Sequence, residues 1–345
     1  MGAEISGAVR RSKAIRIAVL GAGSWGSALA MQLARSGVHC VLWGRSPEHV
    51  QLMRESGRND RFLPGITFPE SIQFEDDLER TLACTDEVLI AVPTSAFTGL
   101  LDRVAVSLRA NQGLSWACKG LEPGTGRFLH QSAQAKLGME RALAVVTGPS
   151  FAAEVARSLP TAVTVAGTEA AYCGTMAQAL HGGSFRAYTS NDIIGAELGG
   201  AVKNVLAVAT GISDGLKFGN NARAALITRG LAEMMRLGRA LGAHDHTLTG
   251  LAGMGDLVLT STGELSRNRR LGLALGAGVT VEQAVQDIGQ VVEGVSTSAE
   301  VWRLAQRYNI EMPISEQVYG IIHLGLSPQE CVRELLSREQ KSESN

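Results

Sequence analysis

The most constraining feature of this sequence is a glycine-rich turn that joins a short apolar strand to a helix. Residues 15–20 run directly into Gly21-Ala22-Gly23-Ser24-Trp25-Gly26, and a helix and a second strand follow within about thirty residues. In this context Gly21 permits the tight turn, Gly23 lets a pyrophosphate approach the backbone, and Gly26 lets the helix pack against the strand. The helix N-terminus also offers free amides to an anion. The pattern therefore predicts a dinucleotide-binding site, and a purely structural glycine turn is the alternative.

Short β-branched runs alternate with helical stretches over the first half of the chain. This alternation is typical of a parallel sheet with helices on both faces. After about residue 190 the β-branched runs stop, and apolar residues recur every three or four positions, as in residues 198–209 and 222–241. The predicted strands are residues 15–20, 38–43, 87–92, 114–117, 143–146 and 162–165.

These patterns predict an α/β amino-terminal Rossmann-type doubly wound sheet plus an all-α carboxyl-terminal domain. The 345 residues suffice for two domains of about 150–200 residues each. The boundary is expected near residues 188–195, where the pattern changes. The predicted organisation is a flexible leader at 1–14, a dinucleotide-binding Rossmann domain at 15–192, a helical substrate-binding domain at 193–337 and a polar tail at 338–345.

The charge balance and the cysteines argue against several classes of function. Lys and Arg total 32 against 33 Asp and Glu, a formal net charge of -1, so the overall charge does not attract nucleic acid or an anionic membrane. No apolar run approaches the roughly 18–20 residues of a membrane span. The five cysteines form no Cys-x-x-Cys pair, and His244-x-His246 has the wrong spacing for two ligands on one helical turn. We therefore expect a cytoplasmic protein with no metal site, no nucleic-acid partner and no membrane span.

The end of the second predicted strand bears on which dinucleotide is bound. An NAD-selective site usually places Asp or Glu there to hold the ribose hydroxyls. This strand ends in Leu42-Trp43-Gly44-Arg45-Ser46, which contains no carboxylate. The planar guanidinium of Arg45 suits the 2′-phosphate of NADP, although it could equally be a solvated loop charge. The sequence thus favours NADPH/NADP and leaves NADH/NAD open.

One lysine on a predicted helix has no ionic partner on that helix. Lys203 has no acidic residue three or four positions away, and its neighbours on the same face are Gly199, Gly200 and Ala207. These small residues leave space for a ligand. A desolvated lysine has a lowered proton affinity and can exchange a proton with a substrate hydroxyl, as an alcohol–ketone redox step requires. The alternative is a lysine that only extends to water.

Four further stretches carry glycine or polar residues where ligands could bind. Two of them follow predicted strands, and open parallel sheets bind ligands beyond the carboxyl ends of their strands. A third brings an acid after flexible backbone, and the fourth concentrates donors suited to phosphate, with a solvated basic turn as the alternative. In this order they are Ala117-Cys118-Lys119-Gly120, Thr147-Gly148-Pro149-Ser150, residues 249–256 ending in Asp256, and Ser266-Arg267-Asn268-Arg269-Arg270.

Seven stretches, in order along residues 17–337, together carry a resemblance to a known family. They are Gly21-Ala22-Gly23-Ser24-Trp25-Gly26, Ala117-Cys118-Lys119-Gly120-Leu121-Glu122, Thr147-Gly148-Pro149-Ser150-Phe151-Ala152, Gly199-Gly200-Ala201-Val202-Lys203-Asn204, Gly253-Met254-Gly255-Asp256-Leu257, Ser266-Arg267-Asn268-Arg269-Arg270 and Val291-Val292-Glu293-Gly294. In this arrangement the chain closely resembles the bacterial-type NAD(P)-dependent glycerol-3-phosphate dehydrogenases. One departure is Trp25, where the family more often has a smaller aromatic or an aliphatic residue.

The resemblance implies an activity and a mode of assembly. It implies an oxidoreductase that reversibly reduces dihydroxyacetone phosphate to sn-glycerol 3-phosphate, and so feeds glycerophospholipid synthesis. It also implies a homodimer, the common state of the family. The alternatives are a related two-domain hydroxy-acid dehydrogenase and a dinucleotide-sensing protein without catalysis, which the fold alone would permit. The joint presence of Lys119, Lys203 and Asp256 argues against the sensing protein.

Residue roles are also implied by the resemblance. Lys203 would be the proton donor and acceptor, with Lys119 and Asp256 beside it to polarise the carbonyl and to orient the lysine. Arg267 would face the substrate phosphate and lie near the cofactor. The substrate-contacting set would be Lys119, Gly148, Ser150, Lys203, Asp256, Ser266, Arg267 and Asn268. The cofactor-contacting set would be Gly21, Gly23, Ser24, Trp25, Gly26, Arg45, Lys119, Ala152, Arg267, Val291 and Glu293.

Overall fold

The computed structural model describes residues 15–337, and the leader and tail predicted at 1–14 and 338–345 lie outside the described residues. Within that range eight strands form one sheet: β1 (Arg16–Leu20), β2 (His39–Trp43), β3 (Gln73–Glu75), β4 (Glu87–Ile90), β5 (Leu114–Trp116), β6 (Leu143–Thr147), β7 (Thr161–Gly167) and β8 (Phe185–Ser190). Their order across the sheet is β3-β2-β1-β4-β5-β6-β7-β8. The order reverses between β1 and β4, which opens a crevice at the carboxyl ends of these strands.

Helices connect the strands and cover both faces of the sheet. They are α1 (Ser24–Arg35), α2 (Pro47–Ser56), α3 (Leu78–Ala83), α4 (Thr94–Ser107), α5 (Leu129–Leu137), α6 (Ala152–Ala156) and α7 (Ala170–Leu180). Ile17 and Val19 of β1 belong to an apolar cluster that includes side chains of α1 and α7. Ala18 and Leu20 belong to another, with side chains of α4 and α5. Because both faces of β1 are buried, its sequence is a continuous apolar run and does not alternate.

The sheet departs from the sequence prediction in three respects. All six predicted strands are present, but β3 and β8 were missed: β3 has only three residues, and β8 is an edge strand whose side chains are mostly not buried. The sheet is parallel as predicted except at one pair, β6 and β7, which are antiparallel. The α6 helix between them has five residues and so rises about 7.5 Å, too little to return the chain along a strand of about 17 Å.

Beyond β8 the described chain is helical as far as Ser337. The elements are α8 (Ile193–Gly215), α9 (Gly219–Leu241), α10 (Asp245–Leu248), a π-helical turn (Leu251–Gly255), α11 (Asp256–Thr262), α12 (Arg267–Gly276), α13 (Val281–Ile288), α14 (Glu293–Tyr308), α15 (Pro313–His323) and α16 (Pro328–Ser337). The predicted fold class, a Rossmann-type sheet followed by an all-α part, is confirmed.

The α8 helix is the central element of the helical half. It packs most extensively on α12, and glycines make this contact possible. A Cβ on Gly211 would lie 2.2 Å from the carbonyl oxygen of Arg269, and a Cβ on Gly272 would lie 2.1 Å from that of Val208. The two backbones therefore touch, which brings the start of α12 close to the middle of α8.

One helix has the length and hydropathy of a membrane span, which the sequence analysis did not anticipate. The α8 helix has 23 residues and a mean hydropathy of 1.3 in its most apolar window. Within the protein, 89% of that window is buried. Burial of this kind is expected for the core helix of a helical layer, so the apolar composition of α8 is weak evidence for a membrane segment.

Candidate active site

The candidate site lies where the carboxyl end of the sheet meets the helical half. Lys119 follows β5 by three residues, and Gly148 comes directly after β6. From the helical half, α8 supplies Lys203 and the first residue of α11 is Asp256. The crevice beyond the strand ends is where sheets of this topology bind their ligands.

A single buried carboxylate binds two lysine ammonium groups. Asp256 accepts from Lys119 Nζ at Oδ2 over 2.6 Å and from Lys203 Nζ at Oδ1 over 3.0 Å. Lys203 also donates to Thr260 Oγ1 over 2.9 Å, and Lys119 donates to the carbonyl oxygen of Gly148 over 2.9 Å. Asp256 is 1% exposed and Lys203 is 7% exposed. The group of three charges therefore carries one surplus positive charge in a site largely closed to water.

Burial and charge shift the pKa values of this cluster. Burial lowers the pKa of Lys203 from 10.5 to about 8, and the positive charges of Lys119 and Arg267 act in the same direction. The carboxylate of Asp256 opposes this shift only in part. For Asp256, burial alone would raise the pKa, but the two ammonium groups outweigh it and hold the pKa below its usual value. The cluster thus pairs a firmly ionised carboxylate with a lysine that can release its proton near neutral pH.

The glycine-rich stretch before Asp256 is not flexible backbone but a π-helical turn that leads into α11. Its close packing depends on two glycines. A Cβ on Gly253 would lie 1.9 Å from the carbonyl oxygen of Leu248, and a Cβ on Gly199 of α8 would lie 2.4 Å from that of Ala252. The turn therefore packs directly on α8, one turn of helix away from Lys203. Such single π-turns are frequent at functional sites.

The basic stretch is the first turn of α12 and not a solvated turn. Ser266 caps the helix, its Oγ accepting from the N–H of Arg269 over 3.2 Å. The guanidinium of Arg269 binds Asp214 through two nitrogens, at 2.9 and 2.7 Å, so it is not free for a phosphate. Arg267 is exposed, and its Nη1 donates to the carbonyl oxygen of Val291 over 2.8 Å. Arg267 therefore has no carboxylate partner in a hydrogen bond or ion pair among the described residues, and its guanidinium can accept a phosphate.

Two asparagines connect this turn to the lysine cluster. Asn268 Nδ2 donates to Asn204 Oδ1 over 2.8 Å, and its own Oδ1 accepts from the N–H of Gly294 over 2.9 Å. Asn204 in turn donates to the carbonyl oxygen of Lys119 over 3.0 Å. The carbonyl oxygen of Gly148, which accepts from Lys119, also accepts from Ser150 Oγ over 2.9 Å. Six of the eight predicted substrate-contacting residues are thus linked by hydrogen bonds, and Ser266 and Arg267 lie beside them at the start of α12.

The glycine-rich turn after β1 fits a dinucleotide pyrophosphate. Gly21 has a φ of 126°, and a Cβ on Gly26 would lie 1.8 Å from the carbonyl oxygen of Gly21, so both positions require glycine. A Cβ on Gly23 would meet nothing within 4 Å, so the backbone faces open space there, at the uncapped start of α1. The indole N–H of Trp25 is buried and has no acceptor among the described residues. The free amides at the start of α1 therefore lie beside an open approach to the backbone.

Other predicted cofactor contacts lie at the edges of the same crevice. Ala152 is the first residue of α6, beyond β6. Glu293 Oε1 accepts from the N–H of Thr94, the first residue of α4, over 3.1 Å, and burial raises the pKa of this carboxyl. Ser24 Oγ donates to the carbonyl oxygen of Phe62 over 3.1 Å. Arg45 follows β2, is exposed, and has no side-chain partner within residues 15–337.

Sequence reasoning missed several residues that the structure places at the site. Thr260 lies four positions after Asp256 on α11, and that spacing on one helical face was the available signal. Asn204 adjoins Lys203 but lies on another face of α8 and could not be assigned a contact from spacing. Within the described residues, no group of three or more His, Cys, Asp and Glu side chains could hold a metal ion.

A Rossmann-type half, a helical half, and a buried lysine with a lowered pKa between them define a dinucleotide-dependent dehydrogenase. Two models of one family match this chain. The "NAD-dependent glycerol-3-phosphate dehydrogenase N-terminus" matches residues 16–173, and the corresponding "C-terminus" matches residues 192–333. The chain belongs to the NAD-dependent glycerol-3-phosphate dehydrogenase family.

Individual relatives agree with this assignment. A glycerol-3-phosphate dehydrogenase [NAD(P)+] of Xanthomonas campestris pv. campestris (strain B100) is 55% identical over 95% of this chain and 96% of its own length. The crystal structure of glycerol-3-phosphate dehydrogenase from Coxiella burnetii has a TM-score of 0.91 and 50% identity, and covers 94% of this chain and 99% of that one. The predicted family, enzyme class and use of NAD(P) are confirmed, and the related hydroxy-acid dehydrogenases and the sensing protein are no longer needed as alternatives.

The fold extends to more distant proteins. The structure of DsGPDH of Dunaliella salina has a TM-score of 0.86 at 23% identity and covers 96% of this chain and 62% of that one. At this level of sequence identity, the similarity shows a shared fold.

Proposed function

We propose that this chain catalyses the reversible reduction of dihydroxyacetone phosphate to sn-glycerol 3-phosphate, with NADPH preferred and NADH also accepted, and so supplies glycerophospholipid synthesis. The observation that carries the proposal is the pair of lysine ammonium groups on one buried carboxylate between the two halves. A ketone that accepts a hydride develops negative charge on its oxygen, and fixed positive charge in a dry site stabilises that charge.

Lys203 is the proton donor in the reductive direction and the acceptor in the oxidative direction. Its pKa of about 8 lets it hold the proton at neutral pH and still release it to an alkoxide oxygen. Lys119 polarises the carbonyl oxygen, and Asp256 holds both ammonium groups in position. The nicotinamide, when bound, supplies or takes the hydride. Thr260 accepts a hydrogen bond from Lys203 and so restricts the direction in which its Nζ points.

The two ends of the reactants are held by different arginines. Arg267 binds the substrate phosphate at the start of α12, where Ser266 and Asn268 flank it. The amides of the turn at Gly23 receive the cofactor pyrophosphate, and Arg45 receives the 2′-phosphate of NADPH. No carboxylate occupies the Trp43-Gly44-Arg45 end of β2, which supports the preference for NADPH. Glu293 and Val291 border the cofactor from the helical half.

We also propose domains at 15–192 and 193–337, a homodimer, and a cytoplasmic location. The domain limits follow the end of β8 at Ser190 and the start of α8 at Ile193. The homodimer is proposed from the family resemblance alone. The cysteines within residues 15–337 are all free, as a reducing compartment would keep them.

A spectrophotometric assay tests the reaction. The absorbance of NADPH is followed with dihydroxyacetone phosphate and, separately, with 2-keto acids. We expect rapid NADPH loss with the phosphorylated ketone and little with the keto acids. Lys203→Met should abolish the rate, while the matched variant Lys136→Met, at a half-exposed lysine of α5, should keep it. Equal rates with both substrate classes, or an active Lys203→Met enzyme, would overturn the proposal.

A further inference from the structure

A buried carboxylate on α8 lies outside the lysine cluster. Glu197 precedes Lys203 by six residues, and its side chain is 1% exposed. Its Oε1 accepts from the indole Nε1 of Trp116 and from the N–H of His130, each over 3.2 Å. Its Oε2 is paired with Nδ1 of the His130 ring. Two of these groups share one oxygen and the third meets the other, so both carboxylate oxygens have partners within the protein.

The donors to Glu197 belong to two elements of the sheet half. Trp116 is the last residue of β5, and its side chain is fully buried. His130 is the second residue of α5, so its N–H is one of the free amides of a helix start. A carboxylate from the helical half thus binds a strand and a helix of the other half at the same time.

These contacts lie a short way along the chain from both lysines. From Glu197 to Lys203 the α8 helix rises about 9 Å, because each residue adds about 1.5 Å. From Trp116 to Lys119 the extended chain covers at most about 10 Å. Between the two lysines, Asn204 binds the carbonyl oxygen of Lys119 over 3.0 Å. The segment from β5 to Lys119 is therefore bound to α8 at two points, Glu197 and Asn204, which precede and follow Lys203 in the chain.

We propose that Glu197 is a positioning residue that holds β5 and α8 at the spacing at which Lys119 and Lys203 both reach Asp256. This inference rests on the catalytic roles proposed above for the two lysines. Because its side chain is buried, Glu197 acts on the lysines through the protein and not through contact with substrate or cofactor. It acts through the distances of 2.6 and 3.0 Å from the two Nζ atoms to the carboxylate, which a shift of about 1 Å between β5 and α8 would break.

Glu233 provides a matched control for a buried glutamate with a purely structural role. It is 2% exposed and accepts from the N–H groups of Ile314 and Ser315, over 2.6 and 3.2 Å, and from Ser315 Oγ over 3.0 Å. Its donors are at the start of α15, and no hydrogen bond within residues 15–337 links it to the candidate site. Loss of either glutamate leaves buried donors without an acceptor, so both substitutions should lower stability to a similar degree.

The experiment compares Glu197→Ala, Glu197→Gln and Glu233→Ala in the full chain. Thermal unfolding, NADPH affinity, kcat for dihydroxyacetone phosphate and the pH dependence of kcat are measured for each. For Glu197→Ala we expect a fall in kcat of about 10²-fold, the effect of misplacing catalytic groups by about 1 Å, with NADPH affinity nearly unchanged. Glu197→Gln keeps an acceptor for Trp116 and should recover part of kcat. Glu233→Ala should lose a similar amount of thermal stability and keep kcat within about twofold of the wild type.

The pH profile separates positioning from simple loss of stability. Lys203 faces Asp256, Lys119, Arg267 and Glu293, and burial is the largest cause of its lowered pKa. In Glu197→Ala water should enter as the spacing loosens, so the basic limb of the profile should move to higher pH. In Glu233→Ala the limb should stay in place.

Three outcomes decide the inference. It is overturned if Glu197→Ala matches Glu233→Ala in kcat and in the pH profile while Lys203→Met is inactive. If Glu197→Ala does not fold, Glu197→Gln and Trp116→Phe are measured in its place. A wild-type kcat and a wild-type pH profile in both of these variants would overturn the inference. If instead Lys203→Met is active, the proposed role of Lys203 fails, and with it the basis of this inference.

Discussion

The pH dependence of turnover should have opposite signs in the two directions of the reaction, because Lys203 must be protonated to give a proton and neutral to take one. Burial lowers its pKa from 10.5 to about 8. At pH 7 about one enzyme in ten then carries a neutral Lys203, against about three in ten thousand for an ordinary lysine. Below pH 8 the reductive rate should be level, and above it the rate should fall about tenfold per pH unit. The oxidative rate should rise about tenfold per unit up to pH 8 and then level off.

The assay is kcat in both directions across this pH range, with Lys203→Met as the perturbed enzyme. Methionine fills a similar volume but carries no proton, and Asp256 retains Lys119 as its counter-charge, so the variant should fold. Loss of a general acid–base group costs about 10²–10⁴ in rate. Affinity for NADPH, measured by fluorescence titration, should be nearly unchanged. The reasoning is refuted if the change of rate near pH 8 persists in Lys203→Met. It is also refuted if the reductive and oxidative rates of the wild-type enzyme change in the same sense as the pH rises.

Three other substitutions test the remaining parts of the site. Arg45→Ala should weaken the affinity for NADPH about ten- to a hundredfold and that for NADH little, because a charge-assisted contact to the 2′-phosphate is worth about 1.5–3 kcal/mol. Equal losses of affinity for both cofactors in fluorescence titrations would show that Arg45 is only a solvated charge of the loop. Arg267→Ala should lower kcat/KM for dihydroxyacetone phosphate far more than for dihydroxyacetone. Arg267→Lys should restore only part of the lost kcat/KM, since a point charge replaces a bidentate guanidinium. Proportional losses for both substrates would show that Arg267 does not bind the substrate phosphate. Asp256→Asn should destabilise the fold by about 3–5 kcal/mol in urea and lower the pKa of Lys203 further, because the buried ammonium group of Lys203 and the partly exposed one of Lys119 lose their counter-charge. Unchanged stability would show that this cluster is not buried in solution.

Much of the fold could be predicted because its signals are local. The turn at Gly21 and Gly26 follows from strand, glycine spacing and helix within one short stretch, and buried strands such as β1 are apolar on both faces. The edge strand β8 lacks such a run because its side chains are mostly not buried. The reversal between β6 and β7 depends on how the short α6 helix leaves the sheet, which periodicity does not encode.

The site was predicted in parts and assembled only by the fold. Lys203 was notable for having no acidic neighbour on its own helix, and its partner Asp256 lies 53 residues further along the chain. Glu197 gave no signal, because its donors Trp116 and His130 lie on elements far away in sequence. The basic stretch was predicted as a set of phosphate donors, but Arg269 is bound to Asp214 by two hydrogen bonds, and Asp214 is in the last turn of α8. Pairings of this kind depend on tertiary packing.

The most direct test of this account is the crystal structure of the chain with NADP and dihydroxyacetone phosphate bound together. The quantity to measure is the distance from Lys203 Nζ to the C2 carbonyl oxygen of the substrate. Hydrogen-bond geometry requires about 2.6–3.2 Å, with the phosphate against Arg267 and the carbonyl carbon facing the nicotinamide. A carbonyl oxygen held by other groups, with Lys203 still bound only to Asp256 and Thr260, would contradict the proposed mechanism.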